Sequence, residues 1–331
     1  MPRSVGRGLA PGALAWLLGA GLCGSVLAGP GADSGPTAST TPDQVLRVGP
    51  GRPLESPSAA ARIALDGATV LIDPADYLGD VAVWTQDRLT LRGHGGRARL
   101  HAAGRSAEGK AIWVFRGNDV LIEDIELRGA RVPHHNGAGI RAEGGRLTIR
   151  RCRFADNEMG ILTSNNPAGE LHIQDSELDH NTTDTEIHGK LGHGLYAGRI
   201  RLLSLRDSLV RDAREGHLVK SRAAISLIEG NRLIDRLGAS YLIDLAEGGS
   251  ARVVGNVLEK SRLAPNRTAI SYAAEEDRPG PDPDFVVRDN HYRVIGRPGT
   301  FVHNHGRVPA RLEGNRLPAG VAALKGPGQV Q

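Results

Sequence analysis

The feature that most constrains the fold is an internal repeat that runs through most of the chain. Eight segments share a pattern of an apolar residue, two polar residues, a small or polar residue, a spacer and another apolar residue. Their shared central positions are Ile125, Cys152, Ser176, Ser208, Asn231, Asn256, Asn290 and Asn315. Consecutive positions are 23 to 34 residues apart, and such a period is typical of a solenoid.

A second short apolar strand follows in most repeats, usually after a glycine, as in GIRAE from Gly139 and GHLVKS from Gly216. Two or three short strands per repeat predict an all-β chain. We expect a single-stranded, right-handed parallel β-helix whose rungs stack at about 4.8 Å. The four successive asparagines predict an internal ladder of amide hydrogen bonds. A leucine-rich repeat is the competing fold, but it needs a helix or compact turn where this chain has a second strand.

The two ends of the repeat region set the expected domain limits. The segment SPSAAARIALDG, Ser56 to Gly67, has an N-cap serine, a proline at the first helical position and a closing glycine, which predicts a helix that caps the solenoid. The following stretch, TVLIDPADYLGDVAVW, is the expected first rung. The β-helix domain is therefore predicted over residues 44–318, with a C-terminal tail over residues 319–331.

The N-terminus has the features of a secretory signal peptide. Arg3 and Arg7 precede an apolar stretch, and Val26-Leu27-Ala28 offers a cleavage site, so residues 1–28 are predicted to be removed. Residues 29–43 are rich in Gly, Pro, Ser and Thr and predict a flexible linker. No later apolar run is long enough to span a membrane. The mature protein is thus expected in the periplasm or outside the cell, as a monomer.

Charge and cysteine content exclude some classes of function. Loss of Arg3 and Arg7 lowers the formal net charge from +4 to about +2. The chain has neither a lysine and arginine run nor an aromatic stacking platform, so nucleic acid is not an expected partner. Cys152 is the one cysteine left after cleavage, so no internal disulfide can form, and its place in the repeat predicts packing rather than catalysis.

In its rung pattern and ladder the chain resembles the pectate-lyase-like superfamily of right-handed parallel β-helices, over roughly Val45 to Leu317. The resemblance is one of architecture, and no catalytic motif matches a particular family. It implies a polysaccharide as the partner. It also implies elimination chemistry on an acidic, uronic-acid-containing chain, in a groove on the outer face of the solenoid.

The second strands of three successive rungs place a candidate site. They begin at His193, His217 and Tyr241 and repeat every 24 residues without a gap. This register aligns two columns: Tyr196, Lys220 and Asp244 in one, and Leu195, Val219 and Ile243 in the other. Because strand residues alternate between faces, the apolar column is expected in the core and the Tyr–Lys–Asp column on the exposed face, together with Arg222. His217 and His193 have core parity but lie at the strand entrance.

Two long insertions lie beside this column and are expected to wall a groove over it. They span residues 181–193 and 261–284. Further candidate substrate-binding residues in or near these segments, or on earlier rungs, are Arg141, His188, Glu247, Tyr272 and Glu275. The acidic run Glu275-Glu276-Asp277 also fits a solvated loop.

Elimination needs a cation beside the sugar carboxylate, a base for the C5 proton and an acid for the leaving oxygen. Arg222 is the candidate cation, Lys220 the candidate base if its neighbours lower its pKa, and Tyr196 or His193 the candidate acid. His217 and Asp244 complete the predicted catalytic set. No cofactor is indicated by a motif. Ca²⁺ is the metal considered, with oxygens from Asp184, Glu186, Asp244, Glu247, Glu275 and Glu276, but their spacing is not a calcium signature.

Three functions stay open from the sequence. The first is a polysaccharide lyase or C5-epimerase, which would use the same residues. The second is a glycoside hydrolase, which needs two carboxyl groups across the scissile bond, such as Asp244 with Glu247 or Glu275. The third is a non-catalytic carbohydrate-binding or surface β-helix protein, in which Lys220 and Asp244 form only an exposed ion pair.

Overall fold

The structure is a computed structural model, and it describes residues 44–331. The predicted signal peptide, residues 1–28, and linker, residues 29–43, lie outside the described residues. Within this range the chain forms three long sheets whose neighbouring strands are all paired in parallel. Successive strands of the chain enter the sheets in turn, so each circuit makes one rung. The predicted parallel β-helix is confirmed. A leucine-rich repeat would have a helix or compact turn on the far side of each repeat, but this chain has a strand there.

Sheet A has twelve strands. They are β1 (Val45–Val48), β2 (Thr69–Ile72), β5 (Thr90–Gly93), β8 (Val120–Glu123), β11 (Arg146–Arg150), β14 (Asn166–Gln174), β17 (Ile200–Arg206), β20 (Ile225–Glu229), β23 (Ser250–Val254), β26 (Phe285–Arg288), β29 (Ala310–Glu313) and β31 (Gly328–Val330). This sheet contains the first strand of each predicted repeat, which precedes the ladder position.

Sheet B has nine short strands that follow the ladder position. They are β3 (Asp76–Leu78), β6 (Ala98–His101), β9 (Ile125–Arg128), β12 (Arg153–Ala155), β15 (Glu177–Asp179), β18 (Leu209–Arg211), β21 (Arg232–Ile234), β24 (Val257–Lys260) and β27 (His291–Val294). Apolar side chains of these strands point into the main hydrophobic core inside the solenoid.

Sheet C has ten strands and carries the predicted site. They are β4 (Ala82–Trp84), β7 (Ala111–Phe115), β10 (Ala138–Ala142), β13 (Met159–Thr163), β16 (His193–Ala197), β19 (Val219–Ser221), β22 (Ile243–Leu245), β25 (Thr268–Tyr272), β28 (Thr300–Asn304) and β30 (Ala322–Lys325).

The turn between sheets A and B is built around the predicted ladder. Asn256 shows its geometry: its side-chain amide donates to the Ile228 carbonyl and to Asn290 Oδ1, both at 2.9 Å, and its Oδ1 accepts from the Asn231 backbone at 2.9 Å. The residue before each ladder position has a positive φ: Asp124, Arg151, Asp175, Asp207, Gly230, Gly255, Asp289 and Gly314. Asp and Gly tolerate this left-handed conformation best, so the ladder and the tight turn occur together.

Two helices interrupt the strands. The first, α1 (Pro57–Ala61), begins where the sequence predicted, because Ser56 Oγ accepts from the Ala59 backbone at 3.3 Å and Pro57 opens the helix. It ends well before Gly67, so the prediction was too long. It packs against β4, the terminal strand of sheet C, and thus covers that end. The second, α2 (Thr185–His188), lies in the first insertion.

The C-terminal boundary was also wrong. Residues predicted as a tail form β30, which pairs with β28, and β31, which pairs with β29. The solenoid therefore continues to Val330. None of the helices in the described range is long and apolar enough to cross a membrane.

Candidate functional site

The predicted column on sheet C is present in the predicted register. Tyr196 pairs with Lys220, and Lys220 pairs with Asp244, on β16, β19 and β22. The neighbouring column of Leu195, Val219 and Ile243 is fully buried in the core. The polar column therefore projects from the outer face of sheet C. It continues to Ser271 and His303 on the next two rungs.

The prediction that this face is exposed was wrong for its central residues. Lys220 is 6% exposed and Asp244 is 3% exposed. The cause is the second insertion, which folds back over the sheet and places Glu275 against them. Lys220 Nζ lies 2.9 Å from Asp244 Oδ2 and 2.5 Å from Glu275 Oε1. The acidic run Glu275-Glu276-Asp277 was also compatible with a solvated loop, but this loop covers the column like a roof.

Arg222 joins the same cluster from the end of β19. Its guanidinium donates to Glu275 and to the Tyr196 hydroxyl, and its Nε lies 3.2 Å from Glu247 Oε1. Two cations, Lys220 and Arg222, thereby converge on the one carboxylate of Glu275. The Tyr196 ring completes this arrangement, since Lys220 Nζ lies 5.9 Å and Arg222 Cζ lies 5.2 Å from its centroid.

Further ion pairs balance the charge around this centre. Arg199 donates to Glu247 at 2.8 Å and 2.9 Å, and Arg278 lies 2.8 Å from Glu276. The cluster therefore consists of four basic and four acidic side chains, which are Lys220, Arg199, Arg222, Arg278, Asp244, Glu247, Glu275 and Glu276. Glu247, a predicted site residue, is buried and fully engaged by arginines.

The two histidines lie on the outer face, which corrects the parity argument. Gly194 and Leu218, the residues after them, turn inward beside the core, so His193 and His217 point outward. Their rings stack at 5.0 Å, and Tyr241 stacks on His217 at 5.0 Å. The Nδ1 atom of each histidine accepts the backbone N–H of the next rung, at 3.0 Å and 3.2 Å. The proton of each ring is therefore on Nε2, and His217 Nε2 lies 3.4 Å from Asp244 Oδ2.

Burial and charge shift the ionisation of the cluster. Burial lowers the pKa of His217 to about 3 and holds that of His193 well below its usual range, so both rings are neutral. Burial lowers the pKa of Lys220, but the carboxylates of Asp244 and Glu275 outweigh it and raise the pKa overall. Burial raises the pKa of Asp244. Lys220 is therefore a cation in this state, and the condition for a role as the base, a pKa lowered by its neighbours, is not met.

Three other predicted residues lie apart from this centre. Arg141 occupies the same column two rungs earlier and is separated from Tyr196 by Leu162. His188 ends α2, stacks on His135 at 3.7 Å and lines a different cavity of about 240 Å³. Tyr272 is a core residue: it is fully buried, stacks on Phe285 and donates to the Gly249 carbonyl at 2.7 Å. It cannot contact a substrate, and Ser271 holds the outward position instead.

Most of the acidic residues considered for Ca²⁺ are engaged by other groups of the chain. Asp244, Glu247, Glu275 and Glu276 each bind a lysine or arginine, whereas Ca²⁺ needs six to eight free oxygens. Asp184 caps α2 by accepting from Ile187. A cluster of Asp179, His180 and Asp212 has atoms close enough for a metal, but Arg153 and Arg211 already hold the Asp179 carboxylate.

Sequence analysis also missed a shallow groove of about 490 Å³ on the outer face of sheet A. Arg146, Arg150 and Arg206 line it together with Glu170 and His172. These residues lie on sheet A, on the first strand of each repeat. The predictions for that strand used its apolar positions and did not consider which polar residues share the outer face. Their outward parity was the available signal.

Comparisons with known proteins give the fold a class but no family. No family model matches the sequence, and no curated protein matches it. The PL6 family alginate lyase AlyGC aligns with a TM-score of 0.51 and 13% identity, over 88% of this chain and 41% of that structure. Escherichia coli YbhC aligns with a TM-score of 0.38 and 10% identity, over 87% of this chain and 75% of that one.

The likeness to AlyGC shows the architecture alone, since the identity is 13%. The chain also spans well under half the length of that lyase. What the comparison supports is a parallel β-helix of the type that a polysaccharide lyase uses.

Proposed function

We propose that this protein binds an acidic, uronic-acid-containing polysaccharide across the outer face of sheet C and cleaves it by β-elimination. The observation that supports this most is the convergence of Lys220 and Arg222 on one carboxylate, that of Glu275. A uronate carboxylate in the same place would meet two cations held on rigid adjacent strand positions. A preorganised pair of cations is what stabilises the charge that develops on a carboxylate during C5 deprotonation.

The substrate carboxylate would displace Glu275, which is the most exposed anion in contact with Lys220 and Arg222. Asp244 would stay beneath Lys220 and keep that lysine protonated. Lys220 and Arg222 then both act electrostatically, by stabilising negative charge on the substrate carboxylate. This assignment replaces the role of Lys220 as base and keeps that of Arg222 as the neutralising cation.

Tyr196 is the group best placed for proton transfer. Its hydroxyl contacts the Arg222 guanidinium, which stabilises negative charge on the oxygen when the proton has left. In the elimination, Tyr196 acts from its phenolate form: the phenolate oxygen takes the C5 proton, the C–H electrons form the C4–C5 double bond, and the C4–oxygen bond breaks. The leaving oxygen takes a proton, supplied by Tyr196. A C5-epimerase would use the same first step and return the proton to the opposite face.

His193 and His217 have a positioning role in this proposal. Their Nδ1 atoms are occupied by backbone donors and their Nε2 atoms carry protons, so neither ring has a free basic nitrogen. His217 orients Asp244, and His193 packs edge-on against Tyr196 with centroids 5.5 Å apart. Arg141 would bind substrate further along the column.

Hydrolysis is less well supported. Asp244 and Glu275 both bind Lys220 Nζ, and Asp244 is covered, so the two carboxyl groups do not face each other across an open cleft. The non-catalytic alternative predicts the charge-balanced cluster equally well.

We also propose that the mature protein acts outside the cytoplasm and as a monomer.

The test is to incubate the purified mature protein with polygalacturonate, alginate and a neutral glucan, and to follow the ultraviolet absorbance of the new double bond. Tyr196→Phe should abolish the rise, and Arg232→Gln, an exposed change on sheet B, should leave it unchanged. New reducing ends without absorbance would establish hydrolysis. An altered uronate composition without cleavage would establish epimerisation. No change of any kind with either acidic polymer would refute the enzymatic proposal for these two substrates.

A further inference from the structure

Another polar cavity lies in the turns between sheets B and C, on rungs that follow the Lys220 cluster. It has a volume of about 360 Å³ and is bordered by the end of β24, the loop after it, and the loop after β27. Its ionisable lining residues are Lys260, Arg262, Arg267 and Arg297. No acidic residue is among the lining residues in the described part of the chain. The cavity therefore has four basic groups and no internal counter-charge.

The arginines of this cavity differ from those of the Lys220 cluster. Across residues 44–331, no carboxylate lies within salt-bridge distance of Arg262, Arg267 or Arg297, whereas Arg199, Arg222 and Arg278 all have acidic partners. All three side chains are exposed, so water screens their mutual repulsion, but an anion placed between them would meet three guanidinium groups with no competing carboxylate. Gly296 lets the second loop approach closely, since its φ is +111° and a Cβ there would lie 2.9 Å from Arg262 Cβ.

Lys260 adds a fixed charge in the wall of the cavity. It is 1% exposed, and its Nζ donates to the carbonyls of Ala239 at 3.2 Å and Ser240 at 2.6 Å. Burial lowers its pKa to about 8, so the ammonium form still predominates at neutral pH. The nearby Asp235 is engaged elsewhere: it accepts from the backbones of Gly238, Ala239 and Ser261. A buried ammonium without a carboxylate contact favours an anion nearby.

We propose that this cavity binds an oxyanion, that is, a carboxylate, sulfate or phosphate group, between Arg262, Arg267 and Arg297. The inference goes beyond the proposed elimination reaction and does not depend on it. The source of the oxyanion is a glycan substituent or a free inorganic ion. The cavity lies next to the outer face of sheet C. The Ser240 carbonyl accepts from Lys260 in the cavity wall, and the next residue, Tyr241, stacks on His217. A glycan on that face could place a charged substituent in the cavity.

Calorimetric titration of the full-length mature protein tests the proposal. The probes are inorganic phosphate, inorganic sulfate, an oligogalacturonate and, as the uncharged control, a malto-oligosaccharide. We expect the anions to bind and the neutral sugar not to bind. Removal of one guanidinium, in Arg262→Gln or Arg297→Gln, should weaken binding by about fivefold, and the double variant should weaken it further. Binding should also weaken as ionic strength rises.

Arg232→Gln is the matched control, because Arg232 is an exposed arginine of sheet B outside the cavity, and its affinities should equal those of the wild type. Tighter binding of the oligogalacturonate than of phosphate, lost in the double variant, would identify a glycan group. The reverse order would identify a free ion. Equal affinities in wild type and double variant, or no anion binding at all, would overturn the proposal. Because the readout is binding, the test stands whether or not elimination is detected.

Discussion

Replacement of Lys220 by methionine is the perturbation that most directly tests the geometry of the cluster. The side chain is almost fully buried, and among the described residues it is the one cation within salt-bridge distance of Asp244, since the nearby His217 is neutral. Methionine keeps the length of the side chain but removes the charge. Removal of one member of a buried ion pair costs about 3–5 kcal/mol, a large fraction of the 5–15 kcal/mol that typically separates folded and unfolded states.

The structure also predicts an asymmetry between the two partners. In Asp244→Asn, Lys220 retains the carboxylate of Glu275 at 2.5 Å, so we expect the smaller loss of about 1–2 kcal/mol. In Lys220→Met, Asp244 has no remaining cation. The double variant should be more stable than Lys220→Met alone, because it leaves no uncompensated charge at this position.

The pH dependence gives an independent check. Burial raises the folded-state pKa of Asp244, and loss of Lys220 removes the cation that opposes this shift. The folded Lys220→Met protein therefore binds a proton more readily than its unfolded chain, and its stability should fall as pH rises through the folded-state pKa. The deficit relative to wild type should be larger at neutral pH than in mild acid.

Urea unfolding followed by far-ultraviolet circular dichroism measures these differences. If Lys220→Met stays within about 1 kcal/mol of wild type, and the double-mutant cycle gives no coupling, then the pair is solvated. That result would refute our account of the roof formed by Glu275 and restore the exposed face that the sequence predicted.

Three further predictions follow from other contacts. Glu275→Gln should tighten oligogalacturonate binding by about fivefold, because the carboxylate that competes for Lys220 is gone; calorimetry with unchanged affinity would contradict this. The pKa of Lys260 is about 8 in the fold against 10.5 for a lysine in water, so the unfolded chain binds more protons between these pH values. Wild-type stability should therefore rise with pH in this window by about 3 kcal/mol relative to Lys260→Met, and parallel urea curves would argue against it. Asn256→Ala should cost about 3–5 kcal/mol because several buried backbone groups lose partners, whereas Asn315→Ala at the partly exposed end of the ladder should cost less. Equal unfolding midpoints for the two alanine variants would show that the ladder does not stabilise through burial.

The architecture was predictable because each rung follows from a short local sequence pattern that repeats along the chain. Each rung repeats the same order of apolar strand, left-handed turn residue and ladder side chain, so one aligned column such as Asn231 to Asn315 fixes the register of all the rungs. The gapless spacing of 24 residues likewise placed Tyr196, Lys220 and Asp244 side by side. The C-terminal strands were missed because no ladder residue follows Asn315 to mark a further rung.

The environment of the site was not predictable in the same way. The exposure of Lys220 depends on where a loop of more than ten residues folds, and neither periodicity nor register constrains a loop. Strand parity failed at His193 and His217 because two consecutive residues point inward after each of them, Gly194 and Leu195 on one rung and Leu218 and Val219 on the next. In both cases a non-repeating contact decided the outcome. The proposed chemistry therefore depends on Glu275: its carboxylate binds Lys220 and Arg222 in a charge-balanced cluster, and the proposal requires a uronate to take the place of that carboxylate.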